Sequence, residues 1–373
     1  MKWAWLSLLS CLASAQVPSW REASPVLDRW CNSCHRPGQV GPFDFTQYEG
    51  ASAYAPEIAR YVGESKMPPW RVVGPDGSFA NSRKMLAADR ALLLAWVKGG
   101  AKPGSAPKPS PRHPLWNQGT PDLILEQPQE YTVSAEKTVE IVTLSFTAAE
   151  LGTVSEDRYL QAFEFRPSNR SMLHHALLRS DGQVLAAWAM CDAGSRLPPD
   201  IGWKLPKGQS LRVELHYFKR NLRAGRDRTR IALYFAKSKP ARIASLIEIH
   251  KDDLRIPAGA KQHIEKLSFT LQEDVRLHAI LPVFQLLATS VSAKLDGKPL
   301  IEIRPFEHHL MSSYTWKQAL ALQQGARLDV EASYDNSAEN PNNPHKQLRE
   351  VHAEENGLDE TFRLWLTVSR PNR

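Results

Sequence analysis

The stretch Leu211–Lys219, LRVELHYFK, alternates without a break: Leu211, Val213 and Leu215 fall on one side of an extended chain, and Arg212, Glu214 and His216 on the other. A period of two is the mark of a strand with one face buried, because successive side chains of extended backbone point to opposite faces. The same texture recurs in KTVEIVTLSF (137–146), YLQAFEFRP (159–167), RTRIALYFA (228–236), IEKLSFTL (264–271) and ARLDVEASY (326–334). Gly, Pro, Asn and Asp separate these runs at short intervals, which is how antiparallel sheets folded as sandwiches are written. About 250 residues of this texture predict two sandwiches, over 119–240 and 241–373. The seam falls in AKSKPARIASLIEIH (236–250), where Lys and Pro interrupt the alternation.

Upstream of residue 119 the pattern differs. The run RKMLAADRALLLAWVKGG ends with Leu92, Leu93, Trp96 and Val97 at helical spacing, followed by Gly99-Gly100 as a stop. The Pro- and Lys-rich segment over 105–118 reads as an extended linker. Residues 16–104 are therefore expected to form a helical domain of their own. The first residues read as a secretory signal over 1–15: Lys2 supplies the positive start, Trp3 to Leu12 the apolar run, and Ala13-Ser14-Ala15 the small residues of a cleavage site. Export to the periplasm or beyond follows from it. No later segment is long and apolar enough to span a bilayer.

Composition excludes some partners. The 373 residues carry a net charge of +7, mild for this length, and no run of Lys and Arg interleaved with aromatics. Nucleic acid is not an expected partner; the charge suits solubility or the steering of an acidic donor protein. Of four cysteines, Cys11 lies in the signal, Cys31 and Cys34 share one motif, and Cys191 stands alone. An exported chain without a disulfide pair depends on core size and metals for stability.

Cys31-Asn32-Ser33-Cys34-His35 has the spacing of a haem c attachment site. Two thiols must reach the two vinyl groups of one porphyrin, and the next residue must offer an imidazole to the iron. A thioredoxin-like pair does not need the histidine, and no second CxxC completes a zinc site. Met67, stiffened by two prolines in KMPPW, is the expected second axial ligand. Met85 stands just ahead of the helix, where methionine usually packs. Farther along, His174-His175 and His216 make an all-imidazole set suited to copper or zinc, provided the strand bearing the pair ends or bulges there. On spacing alone, structural histidines and ligands remain equally open.

Taken in order, CNSCHRPGQVGPF (31–43), KMPPW (66–70), PDLILEQPQEYTV (121–133), EFRPSNRSMLHHALL (164–178), LPKGQSLRVELHY (205–217), RIPAG (255–259) and YDNSAENPNNP (334–344) cover nearly the whole mature chain. This set resembles bacterial proteins in which a cytochrome c domain precedes a module similar to the type II, ascorbate-dependent copper monooxygenases, the family of peptidylglycine α-hydroxylating monooxygenase and dopamine β-monooxygenase. The resemblance implies a multidomain α plus all-β chain: a helical cytochrome c domain followed by two antiparallel, jelly-roll-like β-sandwiches. It implies haem c on Cys31 and Cys34, with His35 and Met67 on the iron, and a first copper on His174, His175 and His216. The family's second copper uses a His-x-His pair and a methionine. Here His278 remains, but Ile280 stands for the second histidine and Thr361 for the methionine, so one copper is expected where the family holds two. His308, His309 and His352 are conceivable replacements, but loop histidines are more often solvated.

The expected function is thus an exported haem- and copper-binding redox protein that passes electrons between the two centres, served by a donor protein or a small reductant. Copper-dependent hydroxylation of a small molecule or peptide would need the second site rebuilt. The alternative is an electron carrier or copper-binding protein in which that site has been lost.

Overall fold

The structure is a computed structural model describing residues 17–73, 77–104, 114–219, 224–354 and 358–372. The expected signal over 1–15 and most of the expected linker over 105–118 lie outside the described residues. The chain divides into two compact units. One is built from the stretches up to Arg36, Phe43–Pro68 and Met85 onward as far as the linker; the other takes Pro37–Pro42, Pro69–Lys84 and the remainder of the chain.

The first unit is helical, for legible reasons. Helix Trp20–Trp30 begins at Ser19, whose backbone N–H and hydroxyl donate to the Glu22 carboxylate at 2.8 and 2.7 Å. That reciprocal cap satisfies donors a helix start otherwise leaves bare. Trp20, Ala23, Val26 and Leu27 recur at helical spacing and are buried with Ile58 and Val62 of helix Ala55–Gly63 and with Leu93 and Trp96 of helix Ala87–Lys98. Each buried Val, Leu or Ile among these contributes roughly 1.5–3 kcal/mol. Gly100, at φ +88°, turns the chain out of the last helix.

The expected fold class is corrected. Strand accounts for 41% of the chain and helix for only 13%, in five helices among the described residues, so the protein is mainly β and a self-standing helical cytochrome domain over 16–104 is not what it forms. Residues 37–42 and 69–84, expected inside that domain, belong to the β unit. The reason is visible in PWRVV. Val72 and Val73 are β-branched and pair antiparallel with Ile303 and Glu302 at a sheet edge. Trp70 and Phe79 then pack edge-on against Tyr314, with centroids 5.4 and 6.0 Å away. Arg71 meets Glu307 at 2.5 Å.

Nor are the two sandwiches separate. Leu173–Ser180, Gln183–Ala189, Leu211–Phe218 and Val139–Phe146 form one four-stranded sheet, and a five-stranded sheet covers the other end of the unit. Between them runs one nine-stranded sheet with strands from both halves. Its join is the parallel pairing of Arg242–His250 with Ile201–Leu205, through Arg242 and Ile201, Ile243 and Gly202, and Ala244 and Trp203. Period-two patterning marks each strand but says nothing about its neighbour, so the join was invisible in the sequence. At Gly202 a β-carbon would come within 3.1 Å of the Leu160 carbonyl and 3.2 Å of Pro240. Glycine lets strand Ile201–Leu205 lie that close to its own half's strand Arg158–Arg166.

A separate apolar cluster of Leu177, Ala187, Ala189, Leu281, Val283, Met311 and Trp365 spans the halves beside the join. With a shared sheet and a shared core, residues 119–372 should unfold in one calorimetric transition. Two resolved transitions, or a stable folded fragment ending near residue 240, would show that the halves are independent.

Candidate metal centre

Residues adjacent on a regular strand face opposite ways, so His174 and His175 can share a site only through an irregularity. The structure supplies one. Along strand Leu211–Phe218, His216 stands opposite His175, but Tyr217 stands opposite Leu173, and His174 is skipped. His174 is the extra residue of a β-bulge, which re-aims its side chain. The exposures of His174, His175 and His216 are 5%, 8% and 6%. The alternation that placed His216 on the face away from Leu215 thus also carries it toward the pair.

A fourth histidine joins them from the other half. His308 opens the short helical turn His308–Leu310 and is 5% exposed. Its ring stacks on His174 at 4.0 Å and 12°, while His175 stacks on His216 at 4.1 Å and 23°. The hydrogen bonds set the tautomers. The His308 carbonyl can only accept, so His174 Nε2, 3.0 Å away, donates to it. Burial holds the His174 pKa down at about 4, leaving the ring neutral with a lone pair on Nδ1. That nitrogen lies 3.1 Å from His175 Nδ1, which must therefore donate. His175, also kept neutral by burial and by neighbouring histidines, is left with its Nε2 lone pair for another partner. Nε2 of His216 is buried without a hydrogen bond, its nearest carboxylate oxygen, on Glu214, being 3.9 Å away.

These side chains line a cavity of about 20 Å³, room for roughly one water or ion. Val283, Gln285, Thr361 and Arg363 form its opposite wall. Two buried carboxylates hold the surrounding loops. Asp192 accepts from Ser312 Oγ at 2.7 Å, Ser313 N at 2.9 Å and Ala189 N at 3.2 Å, joining the first half to the segment after His308. Glu360 accepts from Gln285 N, from Leu287 N at 2.9 Å and from Thr361 N at 2.8 Å. Burial raises the Glu360 pKa to about 8 against those donors. As placed, the stacked rings do not aim at one point. Among the described residues no three His, Cys, Asp or Glu side chains stand in coordinating geometry. What the cavity provides is neutral imidazole nitrogen, an unpartnered buried Nε2 and an ion-sized space. That is chemistry a copper ion fits.

The structure does not bring His278 to this cavity. It is buried, its Nε2 lies 2.8 Å from Ser369 Oγ, and its charged neighbours are Arg242, Arg276 and Asp200. Ile280 is fully buried in the second half's core. Thr361 does reach the cavity wall, but its hydroxyl donates to the Val283 carbonyl at 3.1 Å. His278, Ile280 and Thr361 therefore do not converge as a second ligand set. Of the other histidines, His309 is exposed and His352 lies 3.4 Å from Glu350. Sequence reasoning considered His308 only as a replacement ligand for a second site, because an adjacent His pair in a loop gives no hint that one ring turns inward toward His174. Gln285, Arg363, Asp192 and Glu360 carried no signal at all.

In the helical unit, Cys31 caps helix Trp20–Trp30, and the N–H groups of Cys34 and His35 both donate to its carbonyl, at 3.0 and 2.9 Å. One helical turn thus sets both thiols and the imidazole on the same side. Burial, with the Cys34 and Asp28 charges adding to it, pushes the Cys31 thiol up to about 12. His35 stacks on Phe45 at 4.7 Å, and burial lowers its pKa against the Phe43 carbonyl. A neutral imidazole beside two thiols that form no disulfide fits the demands of covalent haem. Met85 packs on the helical core, and Met67 is half-buried in the loop after helix Ala55–Gly63. Cys191 is a buried thiol.

No protein-family model matches this chain, and no curated protein matches it. Among solved structures it is similar to the major capsid protein P2 of bacteriophage PM2, at 10% identity and TM-score 0.31, covering 66% of this chain and 98% of that one. The STIV MCP is similar at 10% identity and TM-score 0.25, over 66% of this chain and 96% of that one. Likeness at this level assigns neither a family nor an activity. Among the described residues no helix is long and apolar enough to cross a membrane.

The placement of His278 makes a prediction about acid stability. Burial first, and Arg242 next, depress its pKa from 6.5 to about 4. Between those values the unfolded chain takes up a proton that the folded chain refuses, so stability falls as pH falls through this window. The share due to His278 is on the order of 3 kcal/mol. Urea unfolding of metal-free wild type and His278→Gln at pH 7 and pH 4.5 measures it. The variant should lose less stability over the interval; an equal loss in both refutes the assignment.

Proposed function

We propose that this chain is an exported redox protein that carries haem c on Cys31 and Cys34, with His35 and Met67 as iron ligands, and one copper on His174, His175 and His216. The observation that supports it best is the bulge at His174, which gathers three histidines singled out by spacing and resemblance into one buried, ion-sized cavity. A copper ion there would supply a one-electron store.

The chain's own residues prepare for such an ion in three ways. Burial keeps His174 and His175 neutral, so a metal need not displace protons from them near neutral pH. His308 fixes the His174 tautomer through its carbonyl, the outer-shell support that metal-binding imidazoles usually have. Arg363, paired with Glu248 at 2.8 Å, closes the facing wall and so bounds the ion-sized space.

That facing wall offers Val283, Gln285, Thr361 and Arg363, with no imidazole, thiolate or thioether. The donor set is that of a single copper, and the reading that follows is electron transfer, with a donor protein or small reductant as partner, rather than two-copper hydroxylation. Membership of the copper monooxygenase superfamily, with the oxygen-activating site lost, accords with this wall.

Elemental analysis of the full chain, expressed with haem maturation, should give about one copper per iron. His175→Ala or His216→Ala should weaken copper binding roughly 10- to 100-fold or more, and His278→Gln should leave it unchanged. Two coppers per chain, or copper retained in both ligand variants, would overturn the assignment. Haem should stay with the chain through acid-acetone extraction and be lost in Cys31→Ser/Cys34→Ser; haem extracted from the wild type refutes covalent attachment.

A further inference from the structure

The rings of His174 and His308 have a second side. Beyond them lies a cavity of about 710 Å³, well separated in size from the ion-sized space. Volumes of a few hundred to a thousand cubic ångströms are those of pockets for small organic ligands. We propose that this second cavity binds a neutral, largely apolar small molecule with an aromatic ring system, held against the stacked imidazoles of His174 and His308.

The walls specify that chemistry. Met172, Met190, Leu286 and Phe306 contribute apolar surface, and Phe218 stands with its ring 4.4 Å from that of His308 at 61°. Thioethers are polarisable and pack well against aromatic rings, and their flexible side chains adapt to irregular ligands. An aromatic ligand would thus meet imidazole, phenyl and thioether surface. The charged residues in the wall are already committed. Lys219, its side chain 1% exposed, lies 3.2 Å from Glu140, and Glu307 is held by Arg71 at 2.5 Å. A carboxylate or ammonium group on the ligand would lose its hydration without gaining an unshared counter-charge, so the cavity selects against ionised ligands.

The site rests on the cavity's geometry and not on copper, so the two assignments can fail separately. The probe is 1-aminoanthracene, neutral near pH 7, titrated by fluorescence into the full chain with and without copper. Saturable binding of one probe per chain is expected, with anthracene-2-carboxylate at least tenfold weaker. Ser171→Trp, at an exposed position of the wall, and Leu286→Trp, within it, should each weaken the probe at least tenfold, with unchanged circular dichroism confirming the fold. No saturable binding, equal affinity for the carboxylate, or full affinity in both folded variants overturns the proposal. If one variant fails to fold, the other decides. Probe binding retained in protein that takes up no copper sinks the copper assignment alone; copper taken up without probe binding sinks this one alone.

Discussion

A single extra residue in one strand makes the candidate centre. Without the bulge at His174, strict alternation would put His174 and His175 on opposite faces of their sheet, one toward the cavity and one away. The cost is a local interruption of the ladder, since His216 pairs with His175 and Tyr217 with Leu173, leaving nothing opposite His174. The freed residue does not go unsatisfied: its Nε2 donates to His308 and its Nδ1 accepts from His175. The irregularity and the hydrogen bonds of the site are one feature, because one of the two contacts that compensate the bulge comes from His308 in the second half.

That dependence explains why the halves are joined as they are. A loop such as the one carrying His308 positions a ring within a few tenths of an ångström only if its support is rigid. The parallel pairing at Gly202 and Ile243 sets the two halves side by side within one sheet. Asp192 then ties the end of the strand behind His174 to Ser312 and Ser313, just past His308. Glu360 does the same for the opposite wall, gathering the N–H groups of Gln285, Leu287 and Thr361. Buried carboxylates are costly to desolvate, and here each is surrounded by backbone or hydroxyl donors that offset the cost. The same positioning makes the stacked rings of His174 and His308 line both cavities, of about 20 and 710 Å³.

The departures from the resembled family also take on physical sense. His278 has a structural partner in Ser369, and Ile280 is packing in the second core. These residues are integrated into the fold, and the wall that faces the histidines carries amide, hydroxyl and guanidinium groups.

Some of this was legible in the sequence. Alternation marked the strands in LRVELHYFK and its counterparts and, in Leu211–Phe218 and Val139–Phe146, the buried face, because burial of one face of a pleated chain is a local, periodic demand; Arg158–Arg166 and Arg230–Phe235 are instead buried on both faces. The spacing of Leu92, Leu93, Trp96 and Val97 ahead of Gly99-Gly100 marked a helix for the same reason, and the Cys31–His35 spacing set three groups on one turn. The histidine pair and His216 stood out as a chemically matched set. The tertiary structure decided what no local pattern encodes: that Pro69–Lys84 leaves the helical unit for a sheet edge, that one sheet runs through both expected sandwiches, and that His308 turns inward while His309 stays in solvent. Strand partners and loop directions depend on contacts between residues far apart in the chain, and those contacts exist only once both halves have been brought together.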